Sequence, residues 1–313
     1  MNIHKKFAVF FVGFFTLISS AVANGPVEIV VPFGAGGLTD NLGRYASRVL
    51  IDHGIHNIVV NKPGAAGVIG VKYARDNTNP SGTILMLAGG PGLIAPFTLT
   101  PQPYDISKDF QPIALIASDI MTVSVPANSP YHTLGDLISA IKKNNNTMTW
   151  GHASDINRIS GLMFLQKING TATAVPFNGG QQALISLIGG HVDFTLSGIA
   201  DVKSMADSGR VRILAVASDR RHGKLPSVPT FIEQGVDFQH GSFYAFYASK
   251  KTPSHLIAKF NDVVVSRMRN DADYEFLHQI LVPNFLGPKE LARWYDRQVK
   301  IWQPIIQANK PAN

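Results

Sequence analysis

The sequence predicts an α/β protein in two lobes with largely parallel sheets. Short β-rich runs alternate with helical patterns along almost the whole chain, as expected for strands joined by helical crossovers. About 290 residues follow the apolar N-terminal segment, which exceeds the usual size of one hydrophobic core and favours two units of ordinary domain size. Two early strands also end in glycine-rich turns that lead into helices.

Residues 1–23 are predicted to be a secretory signal peptide that is cleaved after Ala23. Lys5 and Lys6 precede an apolar stretch from Phe7 to Ile18, and small residues follow it. An uncleaved membrane anchor is disfavoured because the stretch is shorter than the roughly 20 residues that span a bilayer. The chain has no cysteine, which excludes disulfides and a lipid-anchoring cysteine, so a free periplasmic protein is expected.

Strands are expected where a short apolar or β-branched run is bounded by turn residues. These runs are Val27–Pro32, Asn57–Val60, Thr83–Leu87, Met121–Val125, Thr147–Trp150, Ala172–Val175, Val192–Leu196, Val211–Ala217 and Phe243–Ala248. Helical patterns predict helices over Thr39–Leu50, Gly67–Asp76, Leu134–Lys143, Ile156–Ile168 and Gln181–Ile188, with a last helix from about Pro288.

Local signals support two of these helices. Thr133 is a cap candidate, and Asp136 lies three residues later, where an acidic side chain favours the first helical turn. The last helix carries one apolar stripe, which is interpreted as a core face rather than a partner-binding surface. The stripe consists of Leu291, Tyr295, Val299, Trp302 and Ile306.

Two extended segments are predicted to cross between the lobes, near Thr122–Pro126 and Phe243–Ala248. Each enters a block of the chain with a different organisation. The resulting assignment gives residues 24–124 plus 245–313 to lobe 1 and residues 125–244 to lobe 2.

Composition narrows the function classes. Only 16% of residues are charged and 45% are apolar, which argues against disorder, and the formal net charge is +7. The basic residues do not cluster, since the doublets at 142–143, 220–221 and 250–251 are isolated, so nucleic-acid binding is not expected. The net charge is interpreted as a solvated basic surface that favours anionic ligands.

Nucleotide, metal and hydrolase motifs are incomplete or absent. Gly37 is followed by Leu38, Thr39 and Asp40, so the lysine of a P-loop is missing, and Thr39 replaces the third glycine of a dinucleotide fingerprint. The sequence has no HExxH, no GxSxG and no cysteine pair. No catalytic residue, cofactor or metal is therefore predicted.

The glycine-rich turns point instead to an anion. "VPFGAGGLTD" and "VVNKPGAAGVIG" each run from a strand through small residues into a helix. Helix starts carry unpaired N–H groups and the positive end of the dipole, so they bind anions without a charged side chain. A single such turn is explained by tight geometry alone, but two in the same lobe favour a carboxylate site.

The sequence resembles the extracytoplasmic solute receptors of tripartite tricarboxylate transporters, often called Bug receptors. The matching stretches cover nearly the whole chain after the N-terminal segment, and their order and spacing are specific. They are "VVPFGAGGLTDNLGR", "VVNKPGAAGVIG", "AVPFNGGQQALISLIGGHVD", "GRVRILAVAS" followed by "LPSVPTFIEQG", and "FYAFYASKKTP".

The resemblance implies a type II periplasmic-binding-protein fold, with two α/β lobes, two crossing hinge strands and a ligand in the cleft. It also implies a receptor rather than an enzyme, with no cofactor. Family members capture dicarboxylates, tricarboxylates, acidic amino acids or aromatic acids and deliver them to an integral membrane pair of transporter subunits. A periplasmic monomer is expected.

Carried over residue by residue, the resemblance places the ligand against two lobe 1 loops and several lobe 2 positions. The first loop is Phe33, Gly34, Ala35, Gly36, Gly37, Leu38, Thr39 and Asp40, and the second is Gly64, Ala65, Ala66 and Gly67. The remaining positions are Gly90, Ser154, Arg158, Phe177, Asn178, Gly179 and Ser197. Phe33 is expected to pack on the ligand and Thr39 to donate its hydroxyl, whereas Asp40 is interpreted as a loop lock or helix cap, or as a partner for a ligand ammonium.

Departures from the family pattern concern the distal end of the ligand. "GHASDINR" places Arg158 at the family's usual histidine, Asn178 replaces a lysine and Phe177 a tyrosine, and "LAGGPG" is richer in glycine than usual. Since a cation in the first turn opposes the helix dipole, one hypothesis is that Arg158 binds a second carboxylate of the ligand. The alternative is an arginine paired with Asp155 or solvated.

Two rival functions remain open from the sequence. One is an exported α/β enzyme that acts on an anionic substrate. Asp40 with His152 is the best available acid/base pair for such an enzyme, although nothing in their spacing favours it. The other is a periplasmic ligand sensor that docks with a signalling partner. The expected function is a solute receptor.

Overall fold

A computed structural model describes residues 25–144, 147–177, 179–270 and 281–309. The predicted signal peptide lies outside the described residues. The strands are β1 Val27–Val31, β2 Asn57–Asn61, β3 Thr83–Ala88, β4 Phe110–Pro126, β5 Thr149–His152, β6 Thr173–Pro176, β7 Phe194–Gly198, β8 Val211–Val216, β9 Gly241–Ser249 and β10 Val282–Leu286. This mixed α/β architecture confirms the predicted fold class. The prediction of largely parallel sheets was wrong, because β4 and β9 pair antiparallel with each of their described neighbours.

Helices connect most of these strands. They are α1 Leu38–Asp52, α2 Val68–Asp76, α3 Ala95–Thr98, α4 Ile106–Asp109, α5 Leu134–Lys143, α6 Asp155–Lys167, α7 Gly180–Ile188, α8 Ile199–Asp207, α9 Ser254–Phe260, α10 Ser266–Asn270 and α11 Pro288–Ala308. Short 3-10 turns occupy Ala65–Gly67 and Ile232–Gln234, and π turns occupy Gly90–Ile94 and Asn261–Val265. All six predicted helices are confirmed to within a few residues.

The predicted strand at Met121–Val125 was too short. The observed β4 begins at Phe110, because Phe110–Ile120 pairs along β9 although Pro112, Ser118 and Asp119 interrupt its apolar pattern. Strand β10 and helix α8 were not predicted, and neither were the short helices α3, α4, α9 and α10.

The lobe 1 sheet is built from β1, β2, β3, β9, β10 and the first part of β4. β1 pairs in parallel with β2 and β3, β9 runs antiparallel between β3 and β4, and β10 pairs antiparallel with β4. Helices α1 and α9 cover one face, and α2 and α11 cover the other. The stripe residues Leu291, Tyr295, Trp302 and Ile306 are buried here, which confirms that this stripe is a core face.

The lobe 2 sheet is built from the end of β4 with β5, β6, β7 and β8. β4 pairs antiparallel with β7 and β8, while β7, β5 and β6 are mutually parallel. Helices α5 and α6 pack on one face, around Trp150 and Phe164, and α7 and α8 pack on the other.

Two chain segments pass side by side from one sheet to the other. Along β4 the pairing changes from β9 at Ile120 to β7 at Met121. In the return direction, His240 accepts a hydrogen bond from Met121 N and donates its own N–H to Ala217 O, one residue before β9 begins. These are the two crossing strands of the fold, and the predicted boundaries after residues 124 and 244 stay predictions.

The lobes also touch away from the crossing strands. Ile159 of α6 packs into the apolar cluster that contains Trp302 and Ile306 of α11. A Cβ atom added at Gly89 would lie 2.8 Å from Ile156 Cδ1, so only a residue without a side chain allows α6 this close to the end of β3. Within the described ranges, no helix is both long and apolar enough to cross a membrane.

Candidate ligand-binding site

A cavity of about 890 Å³ lies between the lobes, where the ends of lobe 1 strands face β5, β6 and α6. Its size is that of a small-molecule site. Lobe 1 and β9 contribute Phe33, Thr39, Ala65, Ala66, Val68, Ala88, Gly90, Pro91, Ile94, Ala95, Thr98, Leu99, Ser242 and Tyr244. Lobe 2 contributes His152, Ala153, Ser154, Asp155, Ile156, Pro176 and Phe177.

Seven of the predicted site residues line this cavity, and they come from both lobes. They are Phe33, Thr39, Ala65, Ala66, Gly90, Ser154 and Phe177. Gly34, Ala35, Gly36, Gly37, Leu38, Asp40, Gly64 and Gly67 belong to the same two loops without lining the cavity. Asn178 lies outside the described residues, and Gly179 is the residue before α7.

The first loop, loop A (Phe33–Gly37), is held by the carboxylate of Asp40. Asp40 Oδ2 accepts hydrogen bonds from Gly36 N at 2.8 Å and Arg44 Nε at 2.7 Å, and Asn61 Nδ2 donates to Oδ1 at 2.9 Å. Burial favours the neutral acid, but these donors and the Arg44 charge outweigh it and lower the pKa of Asp40. Asp40 therefore locks the loop in its ionised form.

Loop A leads into a helix start that no side chain caps. Gly37 is the N-cap of α1, and Gly67 is the N-cap of α2, and neither helix has a side-chain cap hydrogen bond. Away from the cavity, α5 is closed by a capping box between Thr133 and Asp136. α1 and α2 place Thr39 and Val68 of their first turns on the cavity, so the positive ends of both helix dipoles lie there. The N–H of Val68 already donates to Ala65 O, so it is not one of the donors left for an anion.

The second loop, loop B (Gly64–Gly67), has an unusual backbone. Its four residues all have positive φ, at 126° for Gly64, 46° for Ala65, 52° for Ala66 and 94° for Gly67. Alanine pays roughly 1–2 kcal/mol in the left-handed region, and such strain concentrates at ligand sites. Both alanines line the cavity.

The lobe 2 wall is built from neutral side chains. Ser154 Oγ accepts from Asn157 N at 3.3 Å and so caps α6, while Phe177 follows β6. Burial, and next the charge of Arg158, lower the pKa of His152, which keeps its imidazole uncharged at neutral pH. The ring of His152 lies 5.3 Å from that of Trp150 in the lobe 2 core.

Arg158 and Ser197 do not line the cavity. Arg158 Nη1 donates to the carbonyl oxygen of Asn309 at 3.3 Å, and its Nε lies 3.9 Å from Asp155 Oδ1. Asn309 is the C-cap of α11, where a cation is favoured by the helix dipole. Ser197 is 8% exposed and borders a smaller space with Thr195 and Asp201.

Several lining residues were not predicted from the sequence. Ser242 and Tyr244 extend from β9, and Ile94, Leu99 and Ile156 form apolar parts of the wall. Tyr244 lies in the matching stretch "FYAFYASKKTP" and Ile156 in "GHASDINR", but neither was singled out as a site residue. The alternation along "GSFYAFYAS" would also have placed Ser242 and Tyr244 on one face of the strand.

Asp119 of β4 and Tyr244 of the adjacent β9, here called the floor, lie where these two strands cross between the lobes, and the charge of Asp201 acts on both. Asp119 of β4 accepts a hydrogen bond from the backbone N–H of Ile199, and a Cβ atom at Gly198 would collide with its carboxyl group. Burial, and next the charge of Asp201, raise the pKa of Asp119 to about 8. Burial also raises the pKa of Asp201, and burial together with these acids raises that of Tyr244. At pH 7 Asp119 is therefore mostly protonated, and the phenol of Tyr244 is neutral.

A second cavity, of about 850 Å³, opens near β10 and the segment 218–224. Arg220 and Lys224 line it, but it meets neither loop A nor loop B. Among the described residues, no group of three or more His, Asp or Glu side chains is placed to hold a metal ion. The cavity between the lobes is thus the one to which the two glycine-rich loops contribute.

Comparison with known proteins identifies the family. The tripartite tricarboxylate transporter family receptor model matches residues 49–310. A protein of Pseudomonas sp. (strain P51), described as a UPF0065 protein in the tcbD-tcbE intergenic region, is 28% identical over 294 residues, which cover 91% of this chain and 87% of that protein.

Solved structures share the fold. The periplasmic binding protein BugD is 27% identical with a TM-score of 0.74, and the match covers 90% of this chain and 97% of BugD. A MatC protein from Rhodopseudomonas palustris with bound malate is 24% identical with a TM-score of 0.73, covering 91% of this chain and 99% of MatC. With the family model spanning most of its length, the chain belongs to the tripartite tricarboxylate transporter receptor family.

Proposed function

We propose that this protein is a periplasmic receptor that captures a small carboxylate between its lobes and delivers it to integral membrane subunits of a tripartite transporter. The main support for this proposal is that the first turns of α1 and α2, neither of which is capped by a side chain, both meet one cavity between the lobes. Free N–H groups and two positive dipole ends suit an anion with two acceptor oxygens.

Capture rests on the rigidity of loop A. Asp40 is only 1% exposed and holds Gly36, Arg44 and Asn61 at once, so the loop is ordered before the ligand arrives. Preorganisation lowers the entropy lost on binding. Loop B contributes further backbone N–H donors. Its two alanines have positive φ, a left-handed conformation that costs energy in a residue with a side chain.

Delivery rests on the two crossing strands. In this proposal the lobes close over the ligand by a hinge movement at Ile120–Met121 and His240–Gly241, and the ligand stabilises the closed state by contacting both walls. The closed surface docks on the membrane subunits. The protein acts as a monomer, and its N-terminal segment directs it to the periplasm.

A catalytic role receives no support from the geometry. Asp40 is buried and already accepts hydrogen bonds from three donors, so it is not a free base. His152 lines the cavity, but Asp40 does not, and the acid/base pair considered from the sequence is therefore not assembled there. The bound acid should leave chemically unchanged.

Thermal unfolding of the chain from Asn24 onward, with mono-, di- and tricarboxylates, acidic amino acids and aromatic acids, tests the proposal. An acid at 100 times its dissociation constant adds about 2.7 kcal/mol, and each kcal/mol raises Tm by roughly 2–4 °C in a protein of this size. Mass analysis of the recovered acid checks that it is unchanged. Folded, ligand-free protein that responds to no carboxylate would contradict the proposal.

Leu38→Pro tests the backbone donors directly. Leu38 is the first residue of α1 and follows Gly37 at φ −79° and ψ 171°, so proline fits and removes only one N–H. The loss of a hydrogen bond to a charged group should weaken binding about 10–100-fold. Leu38→Ala separates the side chain from the N–H, and Ser254→Pro, at the first residue of α9, controls for proline at a distant helix start.

A further inference from the structure

We infer that the acid bound by this receptor carries a single carboxylate and an apolar body, and that the cavity disfavours a second carboxylate at the distal end. The inference rests on the proposed function and narrows its substrate class. The evidence for it is the distribution of charged side chains around the cavity.

The first observation is the absence of a cation. Among the lining residues that the structure describes, Asp155 is the only one with a charged side chain at neutral pH, and it is negative. His152 is held neutral by burial, which lowers its pKa. A second carboxylate would thus meet one like charge and no opposite charge.

The second observation is that nearby cations are engaged elsewhere. Arg44 pairs with Asp40 at 2.7 Å, and Lys62 Nζ lies 4.5 Å above the ring of Tyr73. Arg158 donates to Asn309 at the end of α11. None of the three lines the cavity.

The third observation concerns the helix start on the lobe 2 side. The N-terminus of α6 reaches the cavity, but Ser154 caps it and Asp155 occupies its first turn. Ser154 therefore takes one N–H group that a ligand carboxylate would need, and Asp155 adds a like charge. Asp40 also lies in the first turn of α1, but its charge is compensated by Arg44, whereas the Nε of Arg158 lies 3.9 Å from Asp155 Oδ1. Only the lobe 1 helix starts remain uncapped on this cavity.

The rest of the distal wall is apolar. Ile94 and Leu99 of lobe 1 and Ile156, Pro176 and Phe177 of lobe 2 line the cavity with apolar side chains. Burial of apolar surface is worth about 25 cal/mol per Å², whereas an ionised carboxylate buried without a partner is strongly disfavoured. A cavity of about 890 Å³ has room for an aromatic or medium-chain body.

Matched pairs of acids test the inference by isothermal titration calorimetry. Hexanoate and adipate share a six-carbon chain, and benzoate and terephthalate share a ring, so each pair differs by one carboxylate. We expect each monocarboxylate to bind at least tenfold more tightly than its dicarboxylate. Equal or tighter binding of the dicarboxylates would overturn the inference while leaving the proposed function intact, and a lack of binding by any carboxylate would overturn both.

Two variants of cavity-lining residues change the charge of the cavity wall. Leu99→Arg adds a cation to the cavity wall at a side chain that is 45% exposed, so it should fold and should shift the preference toward adipate at least tenfold. Ile301→Arg, at a side chain 50% exposed on α11, is the matched control and should leave the preference unchanged. Asp155→Asn removes the like charge and should therefore reduce the difference in affinity between hexanoate and adipate. An unchanged preference in both cavity variants would contradict the inference.

Discussion

On the lobe 1 side of the cavity, two helix starts without a side-chain cap meet the cavity, whereas on the lobe 2 side the lining includes apolar side chains such as Ile156 and Phe177. The lobe 1 loop is held by an ionised carboxylate, that of Asp40. The floor between the lobes is kept neutral, since burial raises the pKa of Asp119 to about 8. Anion binding and selection for the ligand body are thereby assigned to different lobes.

This division depends on hydrogen-bond donors rather than on burial alone. Asp40 and Asp119 are both buried carboxyl groups, at 1% and 9% exposure. Three donors, one of them the Arg44 guanidinium, outweigh burial and lower the pKa of Asp40, whereas burial and next the charge of Asp201 raise the pKa of Asp119, which has one backbone donor. The same residue type therefore stabilises a charged loop in one place and a charge-free floor in the other.

The largest effect is expected from Asp40→Ala. It leaves Gly36 N and Asn61 Nδ2 without their acceptor and should lower the free energy of unfolding by about 2–4 kcal/mol. Affinity for every carboxylate should fall, because loop A is no longer ordered. Urea unfolding measures the change in stability, and calorimetry measures the change in affinity.

Asp52→Ala is the control, because Asp52 lies on the same helix and pairs with Arg267 at the surface. It should lower the free energy of unfolding by less than about 1 kcal/mol. Equal losses in both variants would contradict the role of Asp40 in locking loop A.

The neutral floor predicts a pH dependence of stability. The folded pKa of Asp119, about 8, lies above its ordinary 3.8, so the folded protein holds a proton that the unfolded chain releases. This stabilisation is complete below about pH 4 and is lost as pH rises through about 8, at up to about 1.4 kcal/mol per pH unit.

Asp119→Asn should remove that slope between pH 5 and pH 8, as measured by urea unfolding at each pH. Asp136→Asn is the control: its pKa is lowered by the backbone N–H of Thr133 at the start of α5, so its contribution is lost only at acidic pH. If Asp119→Asn keeps the slope of the parent protein, Asp119 is ionised across this range.

The apolar wall is tested by Phe177→Ala. Phe177 is partly buried, so loss of its ring should weaken benzoate binding about 3–10-fold, in line with about 25 cal/mol per Å² of lost apolar contact. Acetate, which is too short to reach both walls, should bind equally to both proteins. Ile185→Ala on α7, where the side chain is 61% exposed, is a matched control that should change neither affinity. A loss of acetate affinity would show that Phe177 contributes to the carboxylate end of the site.

The lobe 1 half of the site was more predictable from sequence than the lobe 2 half. Glycine runs at the ends of β1 and β2 mark a backbone that approaches a ligand, and this chemistry depends on local geometry alone. Ser242 and Tyr244 reach the cavity only because β9 crosses between the lobes, and such long-range placement leaves no local pattern. The fold class followed from the alternation of strands and helices, whereas the length of β4 did not, since Pro112 interrupts the apolar pattern and lies at an irregularity in the pairing of β4 with β9.

Arg158→Ala is expected to have the smallest effect. The sequence correctly placed Arg158 near the start of a helix, but the direction of its side chain depends on α11, whose C-terminal carbonyl at Asn309 accepts its hydrogen bond at 3.3 Å. With a partly exposed donor and a surface-type ion pair to Asp155, its removal should cost less than about 1 kcal/mol. Affinity for hexanoate and adipate should stay within about twofold of the parent protein, as should that of Arg221→Ala, a control paired with Glu233. A tenfold loss for adipate alone, confined to Arg158→Ala, would mean that the guanidinium turns toward the ligand and that lobe 2 supplies charge as well as apolar contact.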